Sequence, residues 1–174
     1  KGYEFVSANR KAELDFSGSF GLCDPTKICA WECYAAKNPA AYVNGTIKSE
    51  FTEFMQANYP EELADRIAVQ YKESAQGILG LALRINERGD LSEGSVDVIK
   101  LLNEKGIRIQ VFSGKPDMLD KVPDMNLRML SIDSSNMDVA DTAPQHQLAV
   151  MLDEGITNDF IDKHADRVAV YLPI

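Results

Sequence analysis

Long apolar runs are missing from this chain. A typical stretch is Val168-Ala169-Val170-Tyr171-Leu172, far short of the ~20 residues that a membrane-spanning helix needs, so no membrane partner is expected. Internal repeats, low-complexity tracts and Gly/Ser linkers are also missing, and 174 residues then imply one domain spanning 1–174. Basic residues are scarce: 18 Lys and Arg stand against 27 Asp and Glu, for a net charge of −9. A phosphate backbone is repelled on average, so nucleic acid is not an expected partner. Histidine occurs twice and cysteine three times. Three is odd, so one thiol at least has no internal disulfide partner. All three fall between Cys23 and Cys33, a clustering that suits a metal site better than a disulfide framework and a reducing, cytoplasmic compartment. The chain begins at Lys1 rather than Met, and trimming at one or both ends is expected.

Hydrophobic residues make up 45% of the chain, enough for a globular core without disulfide staples. Strand-like and helix-like segments alternate. Strands are expected at 12–16, 77–85, 107–112, 127–132, 147–152 and 167–172. The run Ile78, Leu79, Leu81, Ala82, Leu83, Ile85 reads as a strand buried on both faces. Helices are expected at 30–37, at 47–58 with Ile47, Phe51, Phe54 and Met55 on one face, and from Pro60 through Leu63, Ile67 and Tyr71. A further helix runs from an Ser92 N-cap to Lys105 with Gly106 as its stop. A helical turn is expected at 116–121 and a helix at 157–164. Alternation of this kind implies parallel pairing through right-handed crossovers, in an open doubly wound sheet or an incomplete barrel. In both, function gathers at the C-terminal ends of the strands. There the chain places the three cysteines, then Asn86, Arg88, Gly89 and Asp90, then Ser113, Gly114 and Lys115, then Asp133, Ser134, Ser135 and Asn136.

The cysteines read Cys23-x5-Cys29-x3-Cys33. Thiolates are soft ligands that suit iron–sulfur clusters and zinc. A structural zinc is closed by four ligands, and His146 and His164 are remote in sequence. Three thiolates on a [4Fe–4S] cluster leave one iron open to a small chelating molecule, which is a catalytic arrangement. The alternatives are zinc completed by His146, Asp24 or a partner chain, and three core cysteines without metal. Arg84 stands inside an apolar strand, where an arginine needs a partner or a cavity. Asp90, Ser113 and Asp133 each have a plainer reading as turn or cap residues. Gly114-Lys115 lacks the rest of a phosphate loop.

A three-cysteine loop after the first strand of an α/β chain resembles the radical S-adenosylmethionine (radical SAM) enzymes, although their usual spacing is Cys-x3-Cys-x2-Cys. Within that superfamily the chain is similar to the phage gene product 88 family, in Cys33-Tyr34-Ala35, Arg84-Ile-Asn86-Glu-Arg88-Gly89-Asp90, Val111-Phe112-Ser113-Gly114-Lys115 and Leu130-Ser131-Ile132-Asp133. The likeness covers residues 12–135. It implies a partial (β/α)6 TIM-like barrel and a [4Fe–4S] cluster on Cys23, Cys29 and Cys33. It also implies S-adenosyl-L-methionine (SAM) as cofactor, a separate electron donor and a substrate of unknown identity, large or delivered by a partner. By position, Gly89 and Asp90 face the SAM amino group, with Arg84 and Asn86 on the same segment. Ser113, Ser131 and Asp133 are candidates for the SAM carboxylate and ribose, Leu172 backbone for adenine, and Trp31 or Tyr34 for packing beside cluster or adenine. A reading from a different class is a non-catalytic iron–sulfur or zinc-binding α/β protein.

Overall fold

The computed structural model describes residues 7–8, 14–16, 23–33, 39–85 and 90–173. Its strands form where β-branched and aliphatic residues alternate or run together. They are β1 (Ser7–Ala8), β2 (Leu14–Phe16), β3 (Leu83–Ile85), β4 (Ile109–Ser113), β5 (Leu127–Ile132), β6 (Gln147–Leu152) and β7 (Val168–Pro173). Among the described residues these make one seven-stranded sheet in the order β1-β2-β3-β4-β5-β6-β7. The β1–β2 pair is antiparallel, and each later neighbour is parallel. The chain is therefore an α/β protein built on a parallel sheet, as the alternation predicts. The order never reverses, whereas a doubly wound sheet needs a reversal. β1 was not expected.

The helices are α1 (Lys27–Glu32), α2 (Pro39–Asn58), α3 (Pro60–Glu73), α4 (Ala75–Ile78), α5 (Glu93–Glu104), α6 (Pro116–Asp120), α7 (Met137–Thr142) and α8 (Asn158–Lys163). α5 follows its sequence signals closely: the Ser92 hydroxyl accepts from Ser95 N–H, and Gly106 adopts φ +77° just past the end. Only glycine holds that left-handed conformation without strain. α2 and α3, which connect β2 to β3, pack on α5, which connects β3 to β4. Both crossovers thus lie on one face of the sheet.

Strand periodicity divides the sheet into two faces. Leu83, Ile85, Ile109, Val111, Leu130, Ile132, Leu148 and Val150 join the helices in the main core. The other face carries a small buried cluster of Phe112, Met129 and Ala149. Arg84 and Gln110 are partners in register, as are Phe112 and Met129, Ser131 and Ala149, and Met151 and Leu172. Arg84, Ser131 and the Leu172 position therefore share the face turned away from the main core.

Two segments depart from expectation. Residues 77–82 are not strand. The Ser74 hydroxyl accepts from Gly77 N–H at 3.0 Å and starts α4. Gly80 then turns the chain at φ +67°, and Tyr71 Oη and Gln76 Nε2 hold the carbonyls of Leu81 and Ala82. Ile78 and Leu79 are 76% and 72% exposed, so the two-faced burial expected of them does not occur. In α2, Met55 is buried, but Ile47, Phe51 and Phe54 are exposed while Ser49, Thr52 and Gln56 are buried. The reason is a close helix crossing. A Cβ at Gly94 would stand 3.1 Å from both the Cβ and the carbonyl oxygen of Gln56, and Ser95 Oγ donates to Gln56 Oε1 at 3.2 Å. α2 therefore seats its polar edge on α5.

Buried polar groups tie the lower ends of the strands together. Asn126 Oδ1 accepts from Ile109 N–H at 2.9 Å and Asn103 Nδ2 at 2.9 Å, while its Nδ2 donates to Asn103 Oδ1 and Pro123 O. Arg167 donates to the carbonyls of Ala140, Ala143 and His146 at 2.7–3.0 Å. An unmet buried partner carries a desolvation penalty of about 1–3 kcal/mol. Asn126→Ala is therefore expected to destabilise the chain by about 2–4 kcal/mol, read from the midpoint of urea unfolding at unchanged m-value.

Candidate functional site

Because β2 to β7 are parallel, their C-terminal ends share one rim. α1 brings Cys29 there, with Cys33 as its C-cap residue one turn later. The helix starts earlier than the sequence reading placed it, at Lys27, because Thr26 caps it: Thr26 Oγ1 accepts from Cys29 N–H at 3.1 Å. The spacing Thr26-x-x-Cys29 is an N-cap signal that the sequence reading missed. Cys23 and Cys33 are half-buried and Cys29 is exposed; none is in a disulfide.

Two of the thiols, Cys23 and Cys29, have raised pKa values. Burial, then the charges of Asp90, Cys29 and Cys33, push the Cys23 thiol up to about 11, with Lys115 opposing. Cys29 is raised by burial and by Cys33, Asp133 and Asp90. As Cys29 is itself exposed, the neighbouring charges are the cause that bears on its chemistry. A cation placed beside Cys23 and Cys29 would relieve that penalty, because it favours the thiolate form.

Asp90 lies just beyond β3 and is 8% exposed. Its Oδ1 accepts from Leu91 N–H at 2.8 Å and from Ser113 Oγ. Burial raises its pKa, against the hydrogen bonds from Ser113, Leu91 and Gly114 and the charge of Lys115. It is not the cap of α5, a role taken by Ser92. Ser113 is buried at the end of β4, and besides donating to Asp90 it accepts from Lys115 N–H at 3.1 Å. Lys115 Nζ reaches Leu91 O at 3.4 Å. Asp133 is buried beyond β5, where its Oδ1 accepts from Ser135 N–H at 2.8 Å and its Oδ2 from Thr26 Oγ1.

Of the residues singled out in the sequence, the fold brings Cys23, Cys29, Cys33, Asp90, Ser113 and Asp133 to this rim. Ser131, one residue before the end of β5, and Arg84, further down β3, lie on the face away from the main core, with the Arg84 guanidinium 4.6 Å from the centre of the Phe112 ring, a cation–π contact. Leu172 lies on β7, paired with Met151. Trp31 is 81% exposed. Asn86, Arg88, Gly89 and Tyr34 fall outside the described residues. His146 precedes β6 and so stands at the opposite rim, about 20 Å of strand away, with its Nε2 3.1 Å from Asp120. It cannot complete a zinc site with the cysteines. His164, at the end of α8, is 3.3 Å from Asp141.

Among the described residues no three His, Cys, Asp or Glu side chains stand in ligating position around one point. The fit to a metal therefore rests on donor chemistry: three thiols on one short segment, two of them on or just past α1, set near buried carboxylates. No described helix is long and apolar enough to cross a membrane. Fold and site together define an α/β protein with a thiol-and-carboxylate rim. No family model, curated protein or solved structure matches the chain.

Asp90 makes a pH prediction. Its folded pKa is raised, so its contribution to stability is full below the ordinary carboxylate range and is lost as pH rises through the raised value. Asp90→Asn keeps an oxygen for Ser113 and Leu91 but cannot ionise. The stability difference between wild type and Asp90→Asn is expected to move against the wild type as pH climbs from 4 to 7. Denaturant titrations of the metal-free chain across that range check it.

Proposed function

We propose that this chain is a radical SAM-type enzyme in which Cys23, Cys29 and Cys33 hold a [4Fe–4S] cluster at the rim of a partial (β/α)6 barrel. The observation that carries this reading is the meeting of the cysteine segment with buried carboxylates at one rim: Thr26, which caps the helix of Cys29, hydrogen-bonds Asp133, and Asp90 stands buried just beyond β3. These residues come from three separate connections, and parallel pairing brings them to one rim. The unreversed strand order and the placing of α2, α3 and α5 on one face support the barrel form, since a doubly wound sheet would carry helices on both.

When bound and reduced by an electron donor, such a cluster would supply the one electron for reductive cleavage of SAM, the chemistry that yields methionine and a 5′-deoxyadenosyl radical for hydrogen abstraction. The protein's part is chelation and orientation. Cys23, Cys29 and Cys33 would hold the cluster with three ligands, one fewer than its irons, and so leave room for the methionine group of SAM. Asp90 receives the SAM ammonium: a buried carboxylate whose pKa is raised by desolvation returns to its charged form when a cation reaches it, and the resulting hydrogen bond is charge-assisted. Ser113 and the N–H of Leu91 hold its Oδ1 and so orient the carboxylate. Arg84 and Ser131, on the face away from the main core, line the path toward substrate, with the backbone near Leu172 beyond them. A non-catalytic metal domain is the second reading, favoured by the engagement of Asp90 with groups of its own chain. It calls for the same thiol ligands and no response to SAM.

Anaerobic reconstitution with iron and sulfide, followed by EPR of the reduced protein, separates the two. A cluster signal that shifts on adding SAM is the expected result, and Asp90→Asn should retain the signal while binding SAM about tenfold or more weakly. Zinc without any cluster signal would end the radical SAM reading, and a cluster indifferent to SAM would favour the second.

A further inference from the structure

Resting on the proposed cluster site, we infer that Asp133 and Thr26 form a latch that positions the cysteine helix, so that Asp133 acts through Thr26 rather than on SAM. The latch is built from both ends. Asp133 is 3% exposed. Its Oδ1 is fixed by Ser135 N–H at 2.8 Å and Ser135 Oγ at 2.5 Å, and its own N–H donates to Asn136 Oδ1 at 2.7 Å. With one oxygen so held, Oδ2 has one direction, and Thr26 Oγ1 donates to it.

A hydroxyl has one proton. Once Thr26 gives it to Asp133, Oγ can only accept, and the acceptor side faces Cys29 N–H at 3.1 Å. One residue thereby anchors α1 to β5 and caps it. α1 has six residues, too few to hold a helix alone, and it carries Cys29 and leads directly into Cys33. Any slack at Thr26 is passed to two of the three thiols. Partners of this indirect kind typically change metal affinity by about 10–100-fold when removed. Three of the hydrogen bonds Asp133 can accept are made within the chain, two on Oδ1 and one on Oδ2, so its carboxylate is oriented by its own segment and by Thr26.

Thr26→Val removes the hydroxyl at nearly constant shape and charge, Thr26→Ser restores it, and Asp133→Asn offers a second break from the other end. Two readouts are taken on the full chain. One is iron retained against a chelator after reconstitution with iron and sulfide. The other is the alkylation rate of each cysteine in the metal-free protein, resolved by mass spectrometry. The expected result is iron held about tenfold more weakly in Thr26→Val, with Cys29 and Cys33 alkylated about fivefold faster, the ratio that corresponds to losing one helix cap. Thr26→Ser should match the wild type in both. Thr26→Val behaving as wild type in both readouts overturns the latch. If the wild type itself takes up no iron, the cluster reading falls, and the latch is then decided by alkylation alone: faster rates sustain it and unchanged rates overturn it.

Discussion

Parallel pairing in strict sequence order is the constraint on which the molecule turns. A parallel neighbour cannot be reached by a hairpin, so each connection must climb back along the sheet. From β2 to β7 every strand consequently ends at the same rim. Residues separated by more than a hundred positions, such as Thr26 and Asp133, meet there. The main core supplies the rigidity: Leu83, Ile109, Leu130 and Leu148 are fully buried on four adjacent strands. The rim can then be polar and partly unfavourable without loosening the sheet.

That rim is built against its own electrostatics. Asp90 is buried with a raised pKa, and its burial outweighs the hydrogen bonds that support it. Cys23 is raised by burial and then by the charges of Asp90, Cys29 and Cys33, and Cys29 by burial and then by those of Cys33, Asp133 and Asp90. Sites that disfavour their own charged forms are often functional, because a cation converts the repulsion into binding. The lower rim is different. There Arg167 and Asn126 satisfy backbone carbonyls and amides completely enough to read as fastening.

Much of the fold was legible because its signals are local. The Ser92 cap, the Gly106 stop, Pro60 at the first turn of α3 and the apolar strands β4 to β7 all stand close to their expected positions. The failures also have causes. The run 77–82 is apolar but carries Ser74 as a cap and Gly80 as a turn, and those punctuators outweighed hydrophobicity. In α2 the period marked an aromatic face, Phe51 and Phe54 with rings 6.5 Å apart and Phe54 and Tyr59 at 6.0 Å. It did not reveal that Gly94 would draw the opposite, polar edge inward.

By itself the sequence determined the α/β class, the parallel strands, the three cysteines within one short segment and the polar residues that follow most strands. These depend on periodicity, turn chemistry and donor type, all of which are written in neighbouring residues. Only the tertiary structure decided which of those residues meet. Strand order and register set Asp90 and Asp133 beside the thiols and left His146 at the far rim. A hydroxyl three residues before Cys29 became the link between the cysteine helix and the sheet. Such pairings are made by long-range packing, for which a linear pattern carries no coordinate.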